Sequence, residues 1–391
     1  MIFVWLVGAI ALLVLIGWLG LEWQYRQRAG NRLAFAAGQW NIEKYETGHY
    51  QIVGVPELIN RTPASEIMVP ELTAETTLLG KGPLDDLQVN VKIIAQHPDA
   101  ESRPDGYWFA YIVKLQKRTQ FKVQVDITGP DVRSLKALWV RVHYLTYGPG
   151  GRLPKTGHVI VPLRFPDPAM APPWRDTPQA QVMPVPTHLL THLDTPTEVV
   201  KRYASPHAQP GDIITLGETP VAIMQGRWRH PSTVQPGWLA RRLCYYFLPT
   251  SSLATACGLQ TLVDLVGPWR VFWAFVGGTA KKILLRQGGG FYQLAGEQAR
   301  LIDDVTGTLP PYDQFIVMGP EAPQLIVDEI EKATGLGAAI VDVNDLKAVK
   351  IVATSPRVNR AVVTQALIDN PAGNADEQTP LVLVRPQERA I

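Results

Sequence analysis

The hydropathic pattern of the chain opens on a run with no charge, residues 2–21, IFVWLVGAIALLVLIGWLGL. At about 1.5 Å of rise per residue, a helix of this length crosses a hydrocarbon core of roughly 30 Å, so the run predicts a single membrane span. A cleaved secretory signal is the alternative. It calls for a basic leading region, a shorter apolar core and a small-residue cleavage site. This chain instead starts Met1, Ile2, Phe3 and leaves the run through Glu22 and Trp23. Arg26, Arg28 and Arg32 follow the run and no charged side chain precedes it, an asymmetry that places the C-terminal bulk in the cytoplasm. Trp18, Trp23 and Tyr25 suit the headgroup belt.

After the span the period changes to two. Leu87, Val89, Val91 and Ile93 alternate with polar neighbours, as do Phe121, Val123, Val125 and Ile127, the pattern of half-buried strands. Further strands are expected over 49–55, 66–79, 107–115, 138–147 and 158–163, with turn material such as Gly148, Pro149, Gly150 and Gly151 between them. Short strands at this spacing predict an antiparallel sandwich over residues 38–165. Nothing in this stretch clusters like a catalytic site, so it reads as a spacer or partner-binding module. Eight prolines between 166 and 196 then predict a semi-rigid linker over 166–197, in which His188 and His192 are expected to be solvated.

Residues 198–386 read as a second, mixed α+β domain, with apolar runs at 212–216, 314–318, 338–341 and 381–384 and a helical pattern over 323–333. The expected fold class is therefore α+β: an N-terminal transmembrane helix, residues 1–25, then the sandwich, the linker and the mixed domain. Within the last, residues 239–285 are unusually apolar but interrupted by Asp264, Gly267, Pro268 and Arg270. That stretch is expected to be a buried hairpin or an element lying on the membrane surface rather than a second crossing.

Composition narrows the function. Basic side chains number 37 against 35 acidic, a net charge of +2 that gives no sign of a nucleic-acid surface. The two cysteines, Cys244 and Cys257, read as small buried hydrophobes of a reducing compartment. A sequon at Asn60, Arg61, Thr62 reads as a chance match in a cytoplasmic segment. The chain has no phosphate-binding G-x-x-x-x-G-K-[ST], no G-x-S-x-G and no paired C-x-x-C. The candidate chemistry lies in carboxylates beside strand ends: Asp303 and Asp304 in LIDDVTGT, Asp342 and Asp345 in AAIVDVNDLKAVK, Asp376 and Glu377 in GNADEQTP. Such groups suit Mg²⁺ or Mn²⁺, and they equally suit turns and caps.

The segment GDIITLGETPVAIMQGR, residues 211–227, with the later GPEAP and AAIVDVND, resembles the coenzyme F420-0:γ-glutamyl ligase family, and its membrane-anchored relatives in oxygenic photosynthetic bacteria. The likeness covers roughly half of the chain. At fold level the sandwich is similar to late-embryogenesis-type membrane-proximal modules. The ligase resemblance implies joining of L-glutamate to an acid-bearing acceptor with GTP and Mg²⁺ or Mn²⁺ through an acyl phosphate, usually in a homodimer. Carried over residue by residue, it implies metal positions at Asp304, Thr306, Asp342 and Glu377, with Asn344 and Asp345 as additional ligands. Gly211, Asp212, Gly226 and Arg227 would then meet nucleotide or substrate. The chain departs from the family where two lysines are ordinarily found: it has Thr219 and Ile223. Two readings stand. One is a GTP- and metal-dependent amide ligase at a plasma or thylakoid membrane, tethered in lipid by residues 2–21. The other is a non-catalytic subunit or assembly factor of a membrane complex, built on a degenerate ligase-like domain.

Overall fold

The computed structural model describes residues 2–27, 31–63, 65–148, 151–286, 289–304, 309–343, 347–373 and 377–387. Helix α1 (Ile2–Gln27) contains a stretch, Trp5–Tyr25, with a mean hydropathy of 2.1 and none of its side chains packed into the protein. It is the one helix among the described residues long and apolar enough to cross a membrane.

The chain divides into two units, and the first comprises α1 and most of the sandwich. Its strands are β1 (Leu33–Glu46), β2 (His49–Asn60), β3 (Ile67–Gly80), β4 (Gln88–Gln96), β5 (Tyr111–Val113), β6 (Arg118–Thr128), β7 (Leu135–Gly148) and β8 (Gly151–Pro162). They form two four-stranded sheets, ordered β1-β2-β6-β4 and β5-β3-β7-β8. The period-two reading of β6 holds: Phe121, Val123, Val125 and Ile127 are fully buried while their neighbours face outward. In β4, at the sheet edge, the same alternation leaves Val89, Val91 and Ile93 only half buried. Strand β1 had no counterpart among the expected strands. Its ladder with β2 shifts register twice, between Ala36 and Gln39 and between Ile42 and Lys44, and Gly38 takes a φ of 65°. Bulges break the alternation that marks a strand. In the folded protein the Asn60 side chain of the sequon is fully buried, donates to the carbonyls of Ser65 and Val113 and accepts from the Thr62 amide.

The second unit centres on a six-stranded sheet. Its elements are β9 (Arg175–Asp176), β10 (Ala180–Val185), α2 (Pro196–Tyr203), β11 (Ile213–Gly217), α3 (Glu218–Met224), β12 (Trp228–Arg229), α4 (Trp238–Leu243), α5 (Ala256–Val266), α6 (Pro268–Leu285), α7 (Gly290–Ala295), α8 (Gln298–Leu301), β13 (Asp303–Asp304), β14 (Ile316–Val317), α9 (Pro323–Thr334), β15 (Gly337–Val343), β16 (Val349–Thr354), α10 (Arg360–Ala366) and β17 (Leu381–Pro386). The strand order is β16-β15-β11-β17-β10-β9, with β11 and β15 parallel and the other pairs antiparallel. Successive residues of β11 serve opposite faces. Ile214 and Leu216 pack with Val200 and Tyr203 of α2 and Val327 and Ile330 of α9, whereas Ile213 packs with Val363 and Ala366 of α10. Helices α4 to α8 and a small sheet, β12-β14-β13, enclose a separate core around Leu259, Leu262, Val271, Ala274 and Phe291.

The proline-rich stretch is corrected. It is not a linker throughout 166–197, because β10 forms six register pairs with β17 and buries Val182, Met183 and Val185. Pro184 is tolerated because, among the described residues, β9 pairs only with Gln181 and Val182, and beyond them no described strand on the outer side of β10 needs a proline N–H. His188 and His192 are likewise not solvated. The His188 ring bonds the Tyr203 hydroxyl at 2.8 Å and the Asp194 carboxylate at 2.9 Å. His192 packs edge-on against Trp228, and burial pushes its pKa down to about 4.

Candidate functional site

Strand β11 leaves the sheet through Gly217 and enters α3 at Glu218. Because β15 runs parallel to it and β17 antiparallel, the end of β11, the end of β15 and the start of β17 lie on one edge of the sheet. A cavity of ≈ 300 Å³ opens there, lined among others by Gly217, Glu218, Thr219, Asp303, Asp342 and Pro380. Ligands of open α/β sheets favour this position, outside the carboxyl ends of parallel strands.

Three carboxylates face the cavity. Glu218 is 8% exposed, and its Oε2 has no hydrogen-bond partner. Burial, and then the charges of Asp342 and Asp303, push its pKa up to about 8, against a smaller opposing pull from Lys350. Asp303 is raised to about 6 by burial and by Asp342, although the Thr219 hydroxyl donates to its Oδ2 at 3.4 Å. Asp342 stands in register with Lys350 on the neighbouring strand. None of the described lining residues is a lysine or arginine. Carboxylates gathered with no lysine or arginine in the described lining suit a cation binder, since a bound ion removes both the repulsion and the desolvation penalty.

The carboxylates named from the sequence are distributed unevenly. Asp342 is in the cavity. Asp304 is not: neighbouring residues of a strand point to opposite sides, so Asp303 faces the cavity while Asp304 turns to Thr255, whose hydroxyl donates to it. Thr255 also caps α5 by accepting from the Gly258 amide at 2.9 Å. Burial raises the Asp304 pKa, and its Oδ1 is unpartnered. Glu377 is exposed beside Gly373 and does not line the cavity, although Gly373 and Gln378 do. Thr306, Asn344 and Asp345 lie outside the described residues. Among the described residues no three acidic, histidine or cysteine side chains form a ready-made metal cluster. The cavity therefore suits a cation by charge and donor type, not through a preformed shell.

The four nucleotide or substrate candidates lie elsewhere and are engaged. The Asp212 carboxylate, 2% exposed, accepts two bonds from the Arg385 guanidinium, at 2.9 and 2.8 Å, and a third from the Gln209 amide. Arg385 lies 4.2 Å over the Trp174 ring. Gly211 and Gly226 take φ values of 94° and 67°, as glycine does in turns and after helices. Arg227 donates to the Gly319 carbonyl and, at 3.1 Å, to the Glu321 carboxylate. Thr219 and Ile223, the positions where the ligase resemblance expects lysines, do line the cavity. Sequence reasoning missed Glu218, which stands alone in the sequence and gains its acidic company only when β13 and β15 are brought beside α3.

A family model described as F420-0:gamma-glutamyl ligase, N-terminal Ig-like domain, matches residues 34–165. The sandwich is thus Ig-like, and the match supports a relationship to that ligase family. No curated protein matches the chain. Similar solved structures include the yeast GGA1 GAE domain, at 11% identity and a TM-score of 0.20, covering 35% of this chain and 96% of that one. The CupB6 tip adhesin of Pseudomonas aeruginosa gives 13% and 0.23, over 35% and 56% of the two chains. A protein from Archaeoglobus fulgidus gives 10% and 0.18, over 34% and 100%. None of these structural likenesses carries a functional argument.

Proposed function

We propose that the second unit is a cation-dependent acid–amino-acid ligase of the F420-0:γ-glutamyl ligase type, held at a membrane by α1 with the bulk of the chain on the cytoplasmic side. The observation that carries this reading is the cavity at the end of β11, where Glu218, Asp303 and Asp342 gather with no lysine or arginine among the described lining residues. The Ig-like match over residues 34–165 supports the family relationship.

Glu218, Asp303 and Asp342 would hold Mg²⁺ or Mn²⁺, which would neutralise charge on the phosphate of GTP and of an acyl phosphate. The chain's own groups have further tasks. The Thr219 hydroxyl orients Asp303. Glu218, protonated near neutral pH, spares the cavity a third charge and would yield its proton to an entering cation.

A second reading, a non-catalytic subunit of a membrane complex, is favoured by Thr219 and Ile223, which put a hydroxyl and an apolar side chain where the resemblance expects cations. Calorimetric titration of GTP with Mn²⁺ into the full chain separates the two. The ligase reading expects Mn²⁺-dependent GTP binding that Asp342→Ala abolishes. Mn²⁺ binding without any GTP binding leaves the subunit reading, and GTP binding indifferent to Asp342→Ala removes this cavity as its site.

A further inference from the structure

Helix α6 is apolar on two opposite faces. Val271, Ala274 and Gly278 face inward, with Gly278 pressed against the Phe291 backbone of α7. Trp269, Trp273, Val276, Ala280 and Ile283 recur at steps of four, three, four and three, so they share one stripe on the outer face. That stripe is open: Trp269 is 74% exposed, Trp273 63% and Ile283 72%. The surface continues onto the segment after α4, where Tyr245, Tyr246 and Leu248 are exposed and the Tyr246 ring meets Phe275 of α6 at 5.4 Å. Soluble surfaces rarely leave so contiguous an apolar patch uncovered.

Charge identifies the occupant. Between residues 238 and 286 the cations are Arg241, Arg242, Arg270, Lys281, Lys282 and Arg286, and the one acid is Asp264, which pairs with Arg229 at 2.7 Å. None of the six cations pairs with a carboxylate among the described residues. A covering protein surface would have to neutralise this excess of positive charge, whereas anionic headgroups match it while the acyl boundary takes the tryptophans. The same chain carries α1, long and apolar enough to hold it at a bilayer. We infer that the outer stripe of α6, with the cations of α4 and α6 nearby in the chain, lies in the headgroup region of an anionic membrane leaflet, a second and peripheral contact distinct from the span. This contact does not depend on ligase activity.

The full chain is reconstituted into lipid nanodiscs, so that the span holds every variant on the disc and only depth is read. A nitroxide is placed at Ile283→Cys, or at Leu325→Cys on α9 as a reference, each in a Cys244→Ala, Cys257→Ser background. Leu325 is 69% exposed in the same unit. With phosphatidylglycerol in the disc, the ratio of oxygen to nickel-chelate collisions at Ile283→Cys is expected to exceed that at Leu325→Cys by about threefold or more. It is expected to fall in discs of phosphatidylcholine alone and in the K281E/K282E variant. Equal ratios at the two labels in anionic discs overturn the inference. Protection that is the same in both lipids, with spin–spin broadening, also overturns it and assigns the stripe to a second copy of the chain.

Discussion

Strand β11 carries a buried carboxylate near each end, and the two are treated in opposite ways. Asp212 has a bidentate arginine, a backbone amide and an aromatic ring behind the guanidinium, so its charge is satisfied within the fold. Glu218 is nearly as buried, faces Asp303 and Asp342, and has an oxygen with no partner. A buried charge that the protein pairs for itself is architecture. A buried carboxyl left without a counter-ion beside others of its kind is, on the proposed reading, where a cation would enter. Two carboxyls within one short segment are therefore held in opposite environments.

The largest test of this contrast removes the satisfied charge. Asp212→Ala strands the Arg385 guanidinium in a partly buried position and is expected to cost about 3 kcal/mol in urea unfolding, leaving Mn²⁺ affinity unchanged. Glu218→Gln should act in the other direction. The folded-state pKa of Glu218 is raised to about 8 from 4.5, so the folded protein holds this proton more tightly than the unfolded chain does. Stability is then fullest in acid and is lost as pH climbs from the unfolded value through the folded one. A glutamine keeps the shape and does not titrate. The variant is expected to be more stable than the wild type at pH 8 without divalent cations, by on the order of 2 kcal/mol, and the difference should shrink below pH 5 in thermal melts. The smallest effect belongs to Thr255→Val, which removes a helix cap and the partner of Asp304. A loss of about 1 kcal/mol is expected. Its cation affinity should match the wild type, whereas a drop would draw Asp304 into the site.

Much of the architecture was legible in advance. Strand β6 announces itself through Phe121, Val123, Val125 and Ile127, and α9 through its helical spacing, because each buries one face against a neighbour along its whole length. Strand β1 escaped because its bulges interrupt the alternation. Strand β10 escaped because Pro184 reads as a breaker unless one knows that the outer side of the strand is unpaired there. At the site, Asp342 was readable as a carboxylate at a strand end. The choice between Asp303 and Asp304 was not, since one residue of register turns a side chain to the opposite face. Glu218 was hidden for a related reason. Its importance rests on residues far away in sequence, and no local motif encodes that meeting. Asp212 and Arg227 stand out in the segment that resembles the ligases, yet in the fold their charges are occupied by Arg385 and Glu321.

The central claim, that the unpaired carboxylates at the end of β11 await a cation, is tested most directly by counting protons. Mn²⁺ is titrated into the full chain at pH 7 in buffers of different ionisation enthalpy. With Glu218 raised to about 8 and Asp303 to about 6, Glu218 is largely protonated and Asp303 largely ionised at that pH. Entry of the ion is expected to release about one proton in the wild type and close to none in Glu218→Gln. Absence of Mn²⁺ binding, or binding with the same proton release in both proteins, would contradict the account.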